Sequence, residues 1–130
     1  MEQSQYLIDT NAVIDYLGKK LPVTSMSFMN SLIDSIPNVS VVTKIEVLGF
    51  NAAGEYYSLL SDFMNDAVIF DLSEEVVNHS ISLRKRYKIK LPDVIIAATA
   101  ISFNLVLITR NIKDFNGIKG LKTVNPWDLK

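Results

Sequence analysis

Three carboxylates stand where a folded chain could put them to chemical use. Asp9 ends the run QYLID at 5–9, Glu46 lies in KIEVLGF at 44–50, and Asp93 precedes the apolar residues of LPDVIIAATA at 91–100. TRNIKDF at 109–115 adds Thr109, Asn111 and Asp114. Two carboxylates about 4 Å apart repel by roughly 4 kcal/mol at an effective dielectric near 20, so three gathered at one point call for a cation. With one His and no Cys in the chain, the donors are oxygens. They select a hard ion, Mg²⁺ or Mn²⁺, over Zn²⁺. Such an ion activates and orients a water and neutralises charge during displacement at phosphorus, which makes phosphodiester hydrolysis the natural chemistry. Asp93 also has a plainer explanation. Pro92 suits the first turn of a helix, and an acid there complements the helix dipole by about 0.3–1 kcal/mol. Its companions decide between the two.

The elements that must bring these acids together can be read from apolar patterning. Residues 5–9, 39–43, 67–72 and 105–109 read as strands buried on both faces, with a last short strand at 122–125. Helical patterns fill 11–19, 25–35, 44–50, 56–64 and 74–87, and another follows Pro92. This alternation predicts an α/β fold with a central, mostly parallel sheet of about five strands and helices on both faces. In such a sheet, ligands bind beyond the carboxyl ends of the strands, where strand order reverses. Asp9, Thr43 and Thr109 close strands on that edge, with Glu46 expected in the first turn of the following helix. A helix running antiparallel to the strands starts on the same edge, which brings Asp93 to the rim.

Length and composition narrow the class. At 130 residues and 48% hydrophobic, the chain supports one filled core, a single domain over 1–130. The absence of Cys and of a signal-like start points to a reducing, cytoplasmic setting. No apolar run approaches the ~20 residues needed to span a bilayer. The net charge of −1 hides local segregation. RKRYKIK at 84–90 places Arg84, Lys85 and Arg86 with two further lysines just before Asp93, and Arg110 and Lys113 flank the acids of the last motif. These can hold an RNA backbone, or simply solvate helix ends.

LIDTNAVIDYL at 7–17, TKIEVLGF at 43–50, LPDVIIAATA and TRNIKDF, in that order, resemble the successive motifs of PIN domains, particularly the VapC-type toxins of toxin–antitoxin pairs. The resemblance spans nearly the whole chain. It implies a PIN-like fold and a Mg²⁺- or Mn²⁺-dependent endoribonuclease, with Asp9, Glu46 and Asp93 as catalytic metal ligands. It also implies an RNA substrate, a cognate antitoxin lying across the active-site groove, and a homodimer, with the second and fourth helices as candidate contact surfaces. Many relatives carry Asp two residues after the last motif's Thr. Here Asn111 stands there and Asp114 follows, so either could serve the fourth position as a weaker metal or water ligand. Thr109 is expected to orient a water or carboxylate.

The remaining residues have modest expectations. Asn11 either caps the first helix or touches the site. Asp15, a turn further on, reads as a solvated helical acid. His79 reads as packed or half-exposed, and Trp127 as an anchor for the closing NPWDL. The apolar residues Phe28, Met29, Leu32 and Ile33, with Tyr56, Tyr57, Leu60 and Phe63, repeat at helical spacing and read as core. Three rivals compete with the nuclease. One is a PIN domain that binds RNA without cutting it. An aspartyl-phosphate phosphohydrolase would want an Asp where Asn11 stands. A phosphorelay receiver would need Asp71 as phosphoacceptor.

Overall fold

The computed structural model describes residues 5–34 and 36–128. Five short strands, β1 (Tyr6–Ile8), β2 (Asn38–Ser40), β3 (Val68–Phe70), β4 (Val106–Ile108) and β5 (Thr123–Val124), form one sheet in the order β3-β2-β1-β4-β5. Every pairing is parallel. The helices are α1 (Thr10–Leu17), α2 (Val23–Ile33), α3 (Val41–Leu48), α4 (Gly54–Asp66), α5 (Glu74–Arg86), α6 (Leu91–Ser102) and α7 (Ile112–Phe115), with a closing 3-10 turn at Pro126–Asp128. No described helix is long and apolar enough to cross a membrane.

Successive strand side chains point to opposite faces, and the two central strands show it. Leu7 and Leu107 join a core with Val76, Val94, Ala97 and Phe115 from α5, α6 and α7. Ile8 and Ile108 join another with Val13, Met29, Leu60 and Phe63 from α1, α2 and α4. The apolar spacing of α2 and α4 is thus core, as expected, except that Tyr57 is exposed. Large apolar side chains instead lie open along α5 and the start of α6, where Leu72, Val77, Ile81 and Leu91 line a trench of ≈ 460 Å³.

Most elements fall where the patterning puts them, with two boundaries displaced. The expected strand 39–43 ends at Ser40, and Val41, Val42 and Thr43 form the first turn of α3. Ser40 is the reason. Its fully buried hydroxyl accepts a hydrogen bond from the Val42 N–H at 3.1 Å and starts the helix there. Thr43 therefore does not close a strand, and Glu46 sits in the second turn of α3, not the first. The helix expected over 25–35 begins earlier, at Val23, and is seen to Ile33; Ser35 lies outside the described residues, as does Leu129 of NPWDL.

Candidate active site

β1 lies between β2 and β4, so strand order reverses at the carboxyl end of β1. Asp9 is the next residue. It is 4% exposed, and its carboxylate is held by three donors. Oδ1 accepts from the Thr10 N–H at 2.8 Å, while Oδ2 accepts from the Thr109 hydroxyl at 2.7 Å and the Asn11 amide at 3.0 Å. Thr109, which follows β4, is fully buried, and its Oγ1 accepts from the Asn111 N–H at 3.0 Å. Asp9 is itself the residue that caps α1. Asn11 therefore takes the second of its two expected places. It links Asp9 to the last motif, its Oδ1 accepting from the Arg110 N–H at 2.9 Å.

Thr10, which the sequence reading passed over, ties in the next acid. Its hydroxyl donates to Glu46 Oε1 and lies 3.2 Å from the Thr43 hydroxyl. DTN at a strand end offered the signal, but nothing in one segment tells which distant acid a threonine will hold.

Asp93 stands half-buried in the first turn of α6. Its carboxyl is pushed up to about 6, first by burial, then by the charges of Asp9, Asp114 and Glu46, with Lys90 opposing. Burial likewise raises Asp9, with Glu46 adding to it, against the hydrogen bonds from Thr109, Thr10 and Asn11. Asp93 thus lies within electrostatic reach of three other acids, and two of these, Asp9 and Glu46, of each other. The helix dipole lowers the pKa of an acid beside it, opposite to the direction at Asp93.

Asn111 and Asp114 differ in what they contribute. Asn111 precedes α7, exposed, with no side-chain capping bond; Asp114, inside α7, is exposed and acts on Asp93. Among the described residues no three His, Cys, Asp or Glu side chains are gathered closely enough to hold one ion by themselves. A Mg²⁺-type ion commonly takes only one or two carboxylates and keeps several waters, so the all-oxygen donor set fits it. His79 is elsewhere, half-buried and bonded at 2.6 Å to Ser102, the last residue of α6.

The basic residues divide into two groups. Arg84, Lys85 and Arg86 are exposed in the last turn of α5. Beyond them a hollow of ≈ 490 Å³ is lined by Arg84, Tyr87, Lys88, Ile89 and Lys90, close enough for Lys90 to act on Asp93. Lys113 is exposed on α7. Arg110 is not a loose surface cation. It pairs with Asp15 at 3.5 Å and lies 5.3 Å from the centre of the Trp127 ring. Asp15 is buried, contrary to its reading as a solvated acid, and Arg110 is its ion-pair partner. Trp127 packs on the α1-side core, as expected. Asp71 follows the edge strand β3, two strands from β1, and is exposed.

Comparison with known proteins identifies the family and the fold. Residues 6–121 match the PIN domain family. The chain is 30% identical to Ribonuclease VapC2 of Haemophilus influenzae, over 93% of this chain and 97% of that one. It superposes with a TM-score of 0.76 and 32% identity on a toxin–antitoxin complex from Klebsiella pneumoniae, covering 96% of this chain and all of that one. VapBC-1 from nontypeable Haemophilus influenzae gives 0.71 and 27%, over 93% and 97%. With its five-stranded parallel sheet and the motif residues gathered at the switch point, the chain belongs to the PIN domain family, alongside the VapC ribonucleases.

Proposed function

We propose that the chain is an endoribonuclease that hydrolyses RNA phosphodiester bonds at the Asp9 cluster and serves as the toxin of a toxin–antitoxin pair. The observation that carries this reading is the buried, three-donor hold on Asp9, with Glu46 and Asp93 in electrostatic reach of it and Asp114 in reach of Asp93. A like-charged cluster of this kind, fixed at the ligand-binding edge, is costly to a fold and useful to a cation. Relatives named ribonuclease and solved as toxin–antitoxin complexes support the same assignment. The protein's own partners are then RNA, a cognate antitoxin and a second copy of the chain.

Asp9, Glu46 and Asp93 are the residues we assign to hold Mg²⁺ or Mn²⁺, one or two of them directly and the rest through the ion's waters. Of Asn111 and Asp114 we take Asp114 as the fourth acid, because its charge reaches Asp93. A bound ion of this type supplies a water of lowered pKa and neutralises charge at phosphorus. The chain's residues do the rest. Thr109 and Asn11 keep the Asp9 carboxylate in one orientation, so no rotamer freedom is lost when a substrate arrives. Thr10 does the same for Glu46. Asp93 must lose its proton before it can act as a ligand. The basic hollow beside Lys90 can draw the RNA backbone towards the acids.

The purified chain is expected to cut single-stranded RNA with Mg²⁺ or Mn²⁺, leaving 5′-phosphate and 3′-hydroxyl ends. Chelator and Asp9→Asn should each abolish cutting. Undiminished cleavage in chelator, or 2′,3′-cyclic phosphate products, would overturn the mechanism. RNA binding without any cutting would leave the non-cleaving reading.

A further inference from the structure

Arg110, Asp15 and Trp127 form an assembly that the chemistry at Asp9 does not itself require. Among the described residues, Arg110–Asp15 is the one side-chain ion pair. Its two ends differ sharply in exposure, the guanidinium side chain being 60% exposed and that of Asp15 only 13%. A single contact, Nη1 to Oδ2 at 3.5 Å, engages one corner of a five-donor fork. Trp127 sits at 5.3 Å from the guanidinium carbon and is itself tethered, its N–H donating to Asn125 Oδ1 at 2.9 Å and its ring packed on the core. The Arg110 backbone N–H is fixed by Asn11, whose amide donates to Asp9.

Stability alone gives no reason for this arrangement. Exposed ion pairs contribute little, and a buried acid costs desolvation that an apolar side chain would avoid. Direction does give a reason. Asp15 lies six residues along α1 from Asp9, or about 9 Å at the helical rise. A guanidinium held there is exposed to solvent on the α1 layer, set back from the carboxylates by about one and a half turns of α1, whereas the Lys90 hollow lies on the α6 layer. A planar fork restrained by a carboxylate at 3.5 Å and an indole at 5.3 Å is pre-organised for a phosphate.

We propose that Arg110 binds the RNA phosphate next to the one cleaved, and that Asp15 and Trp127 are positioning residues that hold its guanidinium for that contact. The proposal rests on the ribonuclease reading above and adds a second grip, so that the strand crosses the sheet edge from one helical layer to the other.

The test is kcat/KM on a short single-stranded RNA with Mg²⁺ across a range of salt. Arg110→Gln should lower kcat/KM several-fold at low salt, mainly through KM, and make the log–log salt slope shallower by about 0.7, the loss of one phosphate contact on a single strand. Arg110→Lys should keep the slope but not the efficiency, lacking the fork. Asp15→Asn decides by sign. If Asp15 only neutralises Arg110, its removal frees a cation and raises kcat/KM. If it positions Arg110, kcat/KM falls, and the double variant with Arg110→Gln is no worse than Arg110→Gln alone. Trp127→Phe should preserve activity that Trp127→Leu loses. An unchanged salt slope in Arg110→Gln, or a faster Asp15→Asn, overturns the proposal while leaving the ribonuclease intact. A wild type that cuts no RNA removes the ribonuclease reading itself. Should Asp15→Asn fail to melt cooperatively, the exposed Arg110 variants carry the decision.

Discussion

A carboxyl that titrates near 6 changes how the protein responds to acid, and Asp93 is that group. Its pKa in the folded chain lies above the ordinary 3.8, so the metal-free fold binds this proton more tightly than the unfolded chain does. The stabilisation is therefore complete below about pH 4 and disappears as pH rises through about 6. An acid that served only the helix dipole would show the opposite slope. In chelator, Asp93→Asn is expected to leave the melting temperature unchanged or raised near neutral pH and to flatten its pH dependence across that window. At ten times the dissociation constant of Mg²⁺, wild type gains about 1.4 kcal/mol and the variant much less. Thermal melts with and without metal at matched ionic strength check both arms. A variant destabilised in chelator that still responds fully to metal would return Asp93 to the helix dipole. The acids of the cluster were legible because each lies beside an apolar run whose direction could be read. Asp15 and Thr10 were not, since their partners, Arg110 and Glu46, lie far along the chain.

At the scale of elements, the lesson lies in five residues, VSVVT. β-Branched side chains favour strands, and the run 39–43 reads as one. Only Ser40 marks the change, and its signal is weak inside such a run, since a cap is visible only once the N–H groups it serves are in place. Because α3 starts at Val41, Glu46 comes round to meet Thr10 from the second turn. Ser40→Ala is expected to cost about 1 kcal/mol, or about 4 °C in melting temperature for a chain of this size. Cleavage should fall with it, as α3 frays and Glu46 loses its place. An unchanged melting temperature would mean that tertiary packing, not the cap, fixes where α3 begins. Elsewhere the alternation of strand and helix was readable because short continuous apolar runs bounded by polar or turn residues differ plainly from longer stretches with a 3.6-residue apolar period.

For the molecule as a whole, the alternating class was legible and the strand order was not. Parallel pairing joins segments distant in sequence, and no local pattern records that β1 ends up between β2 and β4. That placement has a consequence in time. The Thr109–Asp9 hydrogen bond spans 100 residues. At about 5–20 residues per second, a ribosome makes Thr109 roughly 5–20 s after Asp9. Until then Asp9 lacks its buried donor and β1 lacks a neighbour on one side. Chains stopped after Asn104 are accordingly expected to show no cleavage in a translation extract, while chains carried through Asp128 do; cutting by the shorter chains would break the argument. A nuclease assembled in this order stays harmless to the message that encodes it until the ribosome has passed the codon for Thr109.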